Sequence, residues 1–559
     1  MEKVLVLGGY GVFGGRLARL LLKDGHDVWV AGRSLQKAER FTGRHGGHAL
    51  QVDRSRDLAP ILKVRPDVVV DASGPFHAYR KGALRLPEFC LEHRINYLDL
   101  SDDARFTARI GELDGKAKKA GCFALSGASS APAISAAVVA ALAADLETID
   151  VIEIAIMPDN RAPRGRSVIA GLLSQLGAPL RVWRGGQWRE VRCWSDPRTY
   201  VLRNGRKRQT RAVGVPDLQL FPRYFSARSV IFRAGTELRF MNFGLAALAQ
   251  SRRLGLFRTK PYFDEVAFRL SGILKALGSD TGAMIVEVTG SAGDQTVTRR
   301  FELIVEQGDG PFVPTTPVRG LLRQPQRIAP GARPCLSEFS LAEIEDAMSD
   351  LAVTTDISET PAASLFEHAL GDRWRRLPPA VRRLHAIHDI ESFSGLADVE
   401  RGASLLARLA AWFFRFPKAA QGVPLTITKT RTSKGEVWER DFDGRVFRSY
   451  LSPSPRPHHY KERFWAFTYE QELPVADGAL HLPVRRGWFL GIPLPSFLLP
   501  RSDSREFEQG GRFHFDVGLK APLGGALIVR YAGSLMPDAR PAPGEATAYV
   551  QRLPGRTPV

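Results

Sequence analysis

The first thirty-odd residues constrain the fold of this chain more than any other stretch. A short apolar run, KVLVL, meets a turn in which Gly9, Gly11 and Gly14 have the spacing G-x-G-x-x-G. A helical pattern of apolar residues follows at 16–23, and a second apolar run, VWVA, lies at 28–31. This order predicts a strand, a glycine turn, a helix and a second strand.

The glycines of this turn have a chemical purpose. A pyrophosphate lies against bare backbone at the N-terminus of a helix, because free N–H groups and the helix dipole favour an anion there. A side chain at Gly11 would block that approach. Since the turn follows a strand and opens a helix, we expect a dinucleotide-binding site rather than a merely tight turn.

The end of the second predicted strand bears on the choice of cofactor. An NAD site usually has Asp or Glu there to hold the ribose 2′-OH, whereas a 2′-phosphate requires a cation and no carboxylate. This chain has Arg33 and Ser34, with Lys37 one turn later. These side chains supply a forked donor, a hydroxyl and a further positive charge. We therefore expect NADP rather than NAD; the alternative is that Arg33 is a solvated surface residue.

Strands and helices alternate through residues 1–146. Apolar runs predict four further strands, at 49–53, 67–71, 96–100 and 122–125. The alternation is typical of a doubly wound parallel sheet, which binds ligands at the carboxyl ends of its strands. We predict a Rossmann NADP-binding domain at 1–146, and we include Asp53, at the end of the third strand, among its cofactor contacts.

Four motifs in this domain occur in a familiar order. They are G-G-Y-G-V-F-G at 8–14, V-V-V-D-A-S-G-P-F at 68–76, N-Y-L-D-L-S-D-D at 96–103 and G-A-S-S-A-P at 127–132. Together they resemble the saccharopine dehydrogenase-like NADP-binding proteins. Residues 318–348 resemble the closing segment of that family less strongly.

The resemblance implies a set of cofactor contacts. By position these are Gly9, Tyr10, Gly11, Val12, Phe13, Gly14, Arg33, Ser34, Ser73, Gly74, Pro75 and the segment from Asp99 to Asp102, which includes Ser101. In saccharopine-forming members the second domain recognises an amino acid adduct through arginines and polar groups. Those residues have no match here, so the resemblance does not carry over a substrate.

Hydride transfer with NADP requires positioning and at most one proton donor from the protein. The titratable candidates at the carboxyl edge of the predicted sheet are His77, Tyr79, Tyr97, Asp99, Asp102 and Asp103. We choose Asp99 and Asp102, near the loop, as the catalytic candidates. Either carboxylate also fits a solvated loop, and Asp102 also fits the N-cap of the next helix. The chain has neither a Tyr-x-x-x-Lys pair after the fourth strand nor a G-x-S-x-G elbow, which disfavours a short-chain reductase and a hydrolase.

Residues 147–335 have a different pattern. Alternating runs predict an antiparallel sheet with one solvated face, and helices are expected at 166–176 and 262–277. We predict an α+β substrate domain here. The chain is then expected to return to the nucleotide domain at 336–352, and a linker around 352–361 precedes the last domain.

Residues 362–536 are predicted to be mostly β, because seven runs alternate with a period of two. A curved antiparallel sheet or half barrel follows from this pattern. The region resembles a domain of unknown function, DUF4166, which often follows saccharopine dehydrogenase-like domains and implies no known activity. Such a sheet can hold an apolar ligand, and the apolar loop at 488–499 can touch a membrane; the alternative is a packed sheet with an exposed proline loop. A flexible tail is expected at 537–559.

Composition narrows the classes of function. The net charge of +19 suggests attraction to nucleic acid or anionic membranes, but the basic residues are scattered and no nucleic-acid-binding motif is found. The four cysteines are far apart, so neither disulfides nor a metal site is expected. Without a signal peptide or an apolar run of membrane-spanning length, we expect a cytoplasmic protein.

These observations predict an α/β protein with an N-terminal Rossmann sheet, an α+β domain and a mostly β C-terminal domain. We expect an NADP-dependent oxidoreductase of the saccharopine dehydrogenase-like type, acting on an unidentified substrate, for which an apolar small molecule presented by the C-terminal domain is one option. An NADP-binding sensor without turnover and a scaffold on a membrane surface remain as alternatives. Homodimer formation is left open.

Overall fold

The computed structural model describes residues 1–79, 82–163, 165–256, 261–293, 295–522 and 525–538. Within these ranges the chain forms three β-sheets, of seven, nine and thirteen strands. The predicted α/β class is confirmed, with a Rossmann-like parallel sheet first and a mostly β region last.

The first sheet is parallel and is built mainly from the N-terminal part of the chain. Its first six strands are β1 (Lys3–Leu7), β2 (Asp27–Gly32), β3 (His48–Gln51), β4 (Val68–Asp71), β5 (Asn96–Asp99) and β6 (Phe123–Ser126). The accompanying helices are α1 (Gly14–Lys23), α2 (Leu35–His45), α3 (Ala59–Val64), α4 (Arg85–Glu92), α5 (Ala104–Arg109), α6 (Asp114–Ala120) and α7 (Ser135–Leu142).

Helices cover both faces of this sheet, so its central strands are apolar on both sides. Val4 and Val6 of β1 pack with α1 in one core, whereas Leu5 and Leu7 pack with Ile61 of α3 in another. The continuous apolar runs seen in the sequence follow from this double burial.

The second sheet follows β6. Its strands are β7 (Thr148–Met157), β8 (Pro179–Arg184), β9 (Gln187–Arg192), β10 (Arg198–Val201), β11 (Lys207–Ala212), β12 (Ser229–Ala234), β13 (Gly282–Ala292) and β14 (Gln295–Val305). Its helices are α8 (Arg166–Gln175), α9 (Asp217–Tyr224), α10 (Arg239–Arg253) and α11 (Pro261–Leu274). The sheet is mixed rather than purely antiparallel, because β12 pairs in parallel with β7.

Two strands correct the predicted course of the chain after β14. Helix α12 (Thr316–Arg323) packs in the first core, and β15 (Gly331–Pro334) pairs in parallel with β6, so the return to the first sheet precedes residue 336. After α13 (Leu341–Ala347), the predicted linker is instead β16 (Val353–Pro361), which pairs antiparallel with β14. Strand β16 is polar because it lies at the edge of its sheet and is partly solvated, which is why its sequence resembled a linker.

The completed first sheet has the strand order β15-β6-β5-β4-β1-β2-β3. Strand β1 lies in the interior of the sheet. Strands β2 and β3 lie on one side of it, and β4, β5, β6 and β15 lie on the other. The direction reverses between β1 and β4, which is where open parallel sheets bind ligands at their carboxyl edge.

The third sheet is antiparallel throughout. Its strands are β17 (Ile390–Arg401), β18 (Ala420–Thr432), β19 (Gly435–Phe442), β20 (Arg445–Pro453), β21 (His459–Phe464), β22 (Phe467–Glu472), β23 (Val475–Ala476), β24 (Ala479–His481), β25 (Val484–Phe489), β26 (Ile492–Pro493), β27 (Arg501–Gln509), β28 (Arg512–Lys520) and β29 (Leu527–Pro537). Its helices are α14 (Leu365–Leu370), α15 (Pro379–His385) and α16 (Leu405–Phe413). All but the first two residues of the predicted tail, 539–559, lie outside the described residues.

Ion pairs connect the second and third sheets. Arg184 at the end of β8 donates from Nε to Asp389 at 2.9 Å. Arg228 pairs with Glu391 of β17, and Arg189 donates from Nη2 to the hydroxyl of Ser392 at 3.0 Å. The first residues of the third sheet are therefore fixed to one end of the second.

One buried arginine attaches the returning segment to the first helix. Arg319 of α12 is 3% exposed and donates from Nη2 and Nε to the two carboxylate oxygens of Asp24, at 2.6 and 2.7 Å. Its Nη1 donates to the backbone oxygen of Ala347 at 3.1 Å and to Asp350 at 2.5 Å. A single guanidinium thus joins α12 to the C-terminal ends of α1 and α13.

We expect Arg319→Met to destabilise the protein strongly. Removing one partner of a buried ion pair leaves the other charge uncompensated and costs about 3–5 kcal/mol. Urea-induced unfolding followed by circular dichroism measures the change. Arg109→Met is the control, because Arg109 forms an exposed pair with Glu112 within one helical turn and should cost about 1 kcal/mol or less. Equal effects of the two substitutions would contradict this account.

Candidate functional site

The glycine turn lies between the end of β1 and the start of α1. The backbone N–H groups of Gly8 and Gly9 both donate to the carbonyl of Ala31, at 2.8 and 3.2 Å, so the turn is tied to β2. A Cβ on Gly14 would lie 2.3 Å from the carbonyl oxygen of Gly8, which no side chain could tolerate. Gly11 is exposed, so its backbone is accessible to a ligand.

Helix α1 has no side-chain cap. Its N-cap is Phe13, whose side chain makes no capping hydrogen bond, and Val12 before it accepts a hydrogen bond from Arg16 through its carbonyl at 2.7 Å. The N–H groups of Gly15 and Arg16 already donate to the carbonyls of Gly11 and Phe13, each at 3.0 Å, whereas those of Val12, Phe13 and Gly14 have no acceptor among the described residues. The start of α1 is therefore able to receive an anion beside the exposed Gly11.

The loop after β4 lies directly against this turn. A Cβ on Gly8 would come within 2.8 Å of the carbonyl oxygen of Ala72 and of Cα of Ser73. Ser73, Gly74 and Pro75 are half-buried at this edge. The structure therefore brings together two of the segments predicted to contact the cofactor.

Arg33, Ser34 and Lys37 lie at the end of β2 and the start of α2. The hydroxyl of Tyr10 accepts a hydrogen bond from the backbone N–H of Ser34 at 3.1 Å, which joins the glycine turn to this corner. Ser34 is the N-cap of α2, and its hydroxyl oxygen accepts from the N–H of Lys37 at 3.4 Å. The side chains of Arg33 and Lys37 are exposed.

Asp53 follows β3 and is engaged mainly with its own turn. Its Oδ1 accepts from the N–H and the hydroxyl of Ser55, at 2.9 and 2.6 Å. These hydrogen bonds lower the pKa of Asp53, and the positive charges of Arg56 and Arg33 lower it further. The carboxylate therefore lies within electrostatic reach of Arg33.

A buried carboxylate that we did not anticipate holds the loop after β4. Asp71 is fully buried, and its Oδ2 accepts from Nε of Arg54 at 2.9 Å. Its Oδ1 accepts from the N–H and the hydroxyl of Ser73, at 3.0 and 2.5 Å. The guanidinium of Arg54 also lies 3.6 Å from the ring centre of Tyr79, whose hydroxyl is 2.8 Å from that of Ser73. The only signal in the sequence was a carboxylate ending the apolar run VVVD.

The catalytic candidate Asp99 is also fully buried. Its Oδ1 accepts three hydrogen bonds, from the N–H of Ser101 at 2.9 Å, the hydroxyl of Ser126 at 2.9 Å and the N–H of Gly127 at 2.8 Å. Its Oδ2 has no hydrogen-bond partner among the described residues. Burial raises the pKa of Asp99 to about 7, against the effect of the three donors. Asp99 thus ties the ends of β5 and β6 together without facing solvent.

Ser101, a predicted cofactor contact, lies in the same buried network. It is fully buried, and its hydroxyl oxygen accepts from Thr107 at 3.0 Å and from the N–H of Asp103 at 3.2 Å. Both hydrogen bonds shape the turn that leads into α5. The side chain of Ser101 is therefore separated from the open part of the edge.

Asp102 and His77 are the exposed titratable groups of the candidate set. Asp102 reaches solvent, although the protein around it displaces water and raises its pKa, while nearby His77 acts in the opposite direction. His77 faces α8, since a Cβ on Gly171 would lie 4.0 Å from its Cε1. Both groups lie on the side of the edge that faces the second domain.

The structure also shows where the remaining members of the candidate set lie. The N-cap of α5 is Asp103, whose Oδ1 accepts from the N–H of Phe106 at 2.8 Å, so the suggestion that Asp102 caps this helix is wrong. Tyr97 is fully buried in the core, and Tyr79 belongs to the network around Asp71.

Comparison with known families follows the same division of the chain. The Saccharopine dehydrogenase NADP binding domain matches residues 4–125, and the Domain of unknown function (DUF4166) matches residues 377–535. Both resemblances are confirmed. The N-terminal match identifies an NADP-binding domain of an oxidoreductase type.

Individual relatives are distant. Glutamyl-tRNA reductase from Methanosarcina mazei is 29% identical over 115 residues, which are 20% of this chain and 25% of that protein. The chain thus spans a quarter of the length of this curated relative. The structure of saccharopine dehydrogenase (L-Glu forming) from Saccharomyces cerevisiae is 15% identical, with a TM-score of 0.47, and covers 64% of this chain and 100% of its own. GenD2 from gentamicin A biosynthesis, in complex with NAD, is 16% identical, with a TM-score of 0.28, and covers 53% of this chain and 72% of its own.

The described ranges lack two further features. There, no helix combines the length and the apolar character needed to cross a membrane. In the same ranges, no group of three or more His, Cys, Asp or Glu side chains is arranged to hold a metal ion.

The buried carboxyl of Asp99 predicts a pH dependence of stability. Because its pKa in the folded protein is above that of an unfolded carboxyl, its favourable contribution is full below about pH 4 and is lost as the pH rises through about 7. Asp99→Asn keeps an oxygen acceptor but cannot ionise. We therefore expect the wild type to lose more stability than the Asn variant between pH 5 and pH 8 in urea unfolding.

Ser126→Ala is the matched control for this measurement. It removes one of the three donors that lower the pKa of Asp99 but keeps the carboxyl, so the protein should be less stable at both pH values and should lose at least as much stability between them as the wild type. Parallel pH profiles for wild type and Asp99→Asn would mean that Asp99 does not change its charge in this range.

Proposed function

We propose that this chain is an NADP-dependent oxidoreductase that acts on a small molecule. The observation that carries the proposal is the uncapped start of α1, which lies beside exposed backbone at Gly11 and within the loops of a parallel sheet where the strand order reverses. This arrangement fits a pyrophosphate. The match to a saccharopine dehydrogenase NADP binding domain supports the same cofactor class.

The preference for NADP over NAD rests on the corner after β2. No carboxylate ends this strand, and the exposed side chains of Arg33 and Lys37 supply positive charge for a 2′-phosphate. Ser34 accepts one hydrogen bond as the cap of α2, and its own hydroxyl hydrogen remains for a ligand. The glycine turn and residues 73–75 are the other proposed contacts with the cofactor. Asp53 would influence the 2′-phosphate only indirectly, through its electrostatic interaction with Arg33.

The two catalytic candidates have different proposed roles. Asp99 is a positioning residue, because its buried carboxyl fixes the loops after β5 and β6. Asp102 is the candidate that exchanges a proton with substrate, with His77 as its neighbour across the opening toward α8. NADPH bound at the edge would supply the hydride. The chain itself orients the reactants and holds one proton at Asp102 or His77.

We expect Arg33→Asp to invert the cofactor preference. Loss of a charge-assisted contact and introduction of a carboxylate should weaken NADPH binding at least tenfold relative to NADH. Fluorescence titration with both cofactors measures the ratio. Arg44→Asp makes the same change of charge at the other end of α2 and should leave the ratio unaltered. An unchanged ratio in Arg33→Asp would refute the assignment of this corner to the 2′-phosphate.

Turnover separates an enzyme from a sensor. With a panel of carbonyl and imine compounds, we expect the full chain to oxidise NADPH, followed by its absorbance. Asp102→Asn or His77→Gln should then lower kcat about 10²–10⁴-fold, the usual contribution of a general acid or base, and leave NADPH affinity unchanged. Glu112→Gln, which alters an exposed pair, is the control. Tight binding of NADPH without oxidation by any compound in a broad panel would favour the sensor instead.

A further inference from the structure

The third sheet encloses a cavity of about 310 Å³. Strands β22 and β25 face β27 across it, because Tyr469, Val484 and Ser502 all line the same space. Much of the remaining wall is aromatic and includes Phe414, Phe442, Phe513 and Phe515. The sheet therefore curves around a hollow apolar interior, of a size that small ligands occupy.

The phenols of Tyr460, Tyr469 and Tyr531 line the cavity, and those of Tyr460 and Tyr531 are the more deeply buried. Tyr460 is 3% exposed and Tyr531 is 8% exposed, and both line the cavity. Neither hydroxyl forms a hydrogen bond with any residue in the described ranges. Burial raises the pKa of both phenols, so each remains protonated and is able to donate as well as accept. Neither hydroxyl is among the fully enclosed polar atoms without a partner, so both border the open space of the cavity, where a ligand or water can satisfy them.

The charged groups in the same wall are already paired. Arg440 donates from Nη2 to Glu462 at 3.2 Å, and Gln471 donates to the other oxygen of Glu462 at 2.8 Å. Glu506 is hydrogen-bonded to His385 at 2.5 Å, and Lys429, within electrostatic reach of Glu506, lies behind the wall. The described lining therefore has no positive charge left for an anionic head group.

Exposed apolar side chains lie next to the wall of this cavity. Phe413 of α16 is exposed, its ring lies 5.1 Å from that of exposed Trp465, and it also contacts Phe467 of the cavity wall. Leu498 is both exposed and part of the lining. The cavity wall is therefore continuous with exposed apolar side chains.

We propose that this cavity binds an uncharged amphiphile, a molecule with an extended hydrocarbon part and an alcohol group. The hydrocarbon lies against the aromatic wall, and the alcohol exchanges hydrogen bonds with Tyr460 and Tyr531. This assignment concerns a site that is separate from the nucleotide edge and does not depend on the proposed oxidoreductase activity.

The test uses the full chain and the uncharged fluorophore N-phenyl-1-naphthylamine as the probe of the cavity. We expect 1-decanol to displace the probe at a concentration at least tenfold lower than decanoate at pH 8, because the carboxylate would enter a wall without spare positive charge. Equal displacement by the alcohol and the acid, or stronger displacement by the acid, would overturn the proposal.

Three variants locate the site. Tyr531→Phe keeps the shape of the wall and removes one hydroxyl, so it should weaken 1-decanol about three- to tenfold and leave the probe unaffected. Val517→Trp fills the cavity and should abolish probe binding, whereas Trp412→Ser changes only an exposed side chain of α16 and should preserve it. Circular dichroism verifies that each variant is folded.

Three binding results would overturn the proposal. If folded Val517→Trp still bound the probe and Trp412→Ser did not, the probe would lie on the exposed apolar side chains and the cavity assignment would be wrong. Unchanged decanol affinity in Tyr531→Phe, or failure of the wild type to bind the probe, would also overturn it.

Discussion

Two buried carboxylates at the carboxyl edge of the first sheet support the rest of the candidate site. Asp71 and Asp99 end neighbouring strands and are paired in register, and both are fully buried. Asp71 is compensated by Arg54, whereas Asp99 accepts three hydrogen bonds and has a pKa raised first by burial and also by the charge of Asp71. Each carboxylate fixes the backbone of the loop that follows it, so the open surface of the edge depends on groups that never reach that surface.

The parts of this site that were predictable depend on neighbours in the sequence. The glycine turn, its strand and its helix are adjacent, so the spacing of Gly9, Gly11 and Gly14 carries the geometry. The corner at Arg33 follows from the length of one helix and one strand. The pair between Arg54 and Asp71 joins the loop after β3 to the end of β4, and no local pattern indicates which arginine will lie beneath the edge. Asp99 ends β5 and Asp102 follows it three residues later, and burial alone separates the positioning group from the exposed one.

The same limit explains the errors in the course of the chain. Strand β15 has four residues and exists because β6 offers it an edge, and β16 is polar because only β14 pairs with it. In both strands the partner rather than the local sequence determines the structure. The third sheet shows a related limit. Period-two alternation predicted its strands, but it does not show whether the inner face is packed or hollow. That depends on how strongly the sheet curves and on which strands come to face each other across its interior.

The hollow interior of the third sheet also contains charges that an apolar core would not need. Burying an ion pair costs more desolvation than the pair commonly returns, so Arg440 with Glu462 does not by itself improve stability. Burial lowers the pKa of Lys429 to about 7 and that of His385 to about 4, which further reduces the positive charge beside the cavity. The guanidinium of Arg440 is paired with Glu462, and Lys429 and His385 carry less positive charge than usual. The wall therefore distinguishes between ligand head groups by hydrogen bonding rather than by charge. The phenols of Tyr460 and Tyr531 then determine which polar group a bound hydrocarbon can carry.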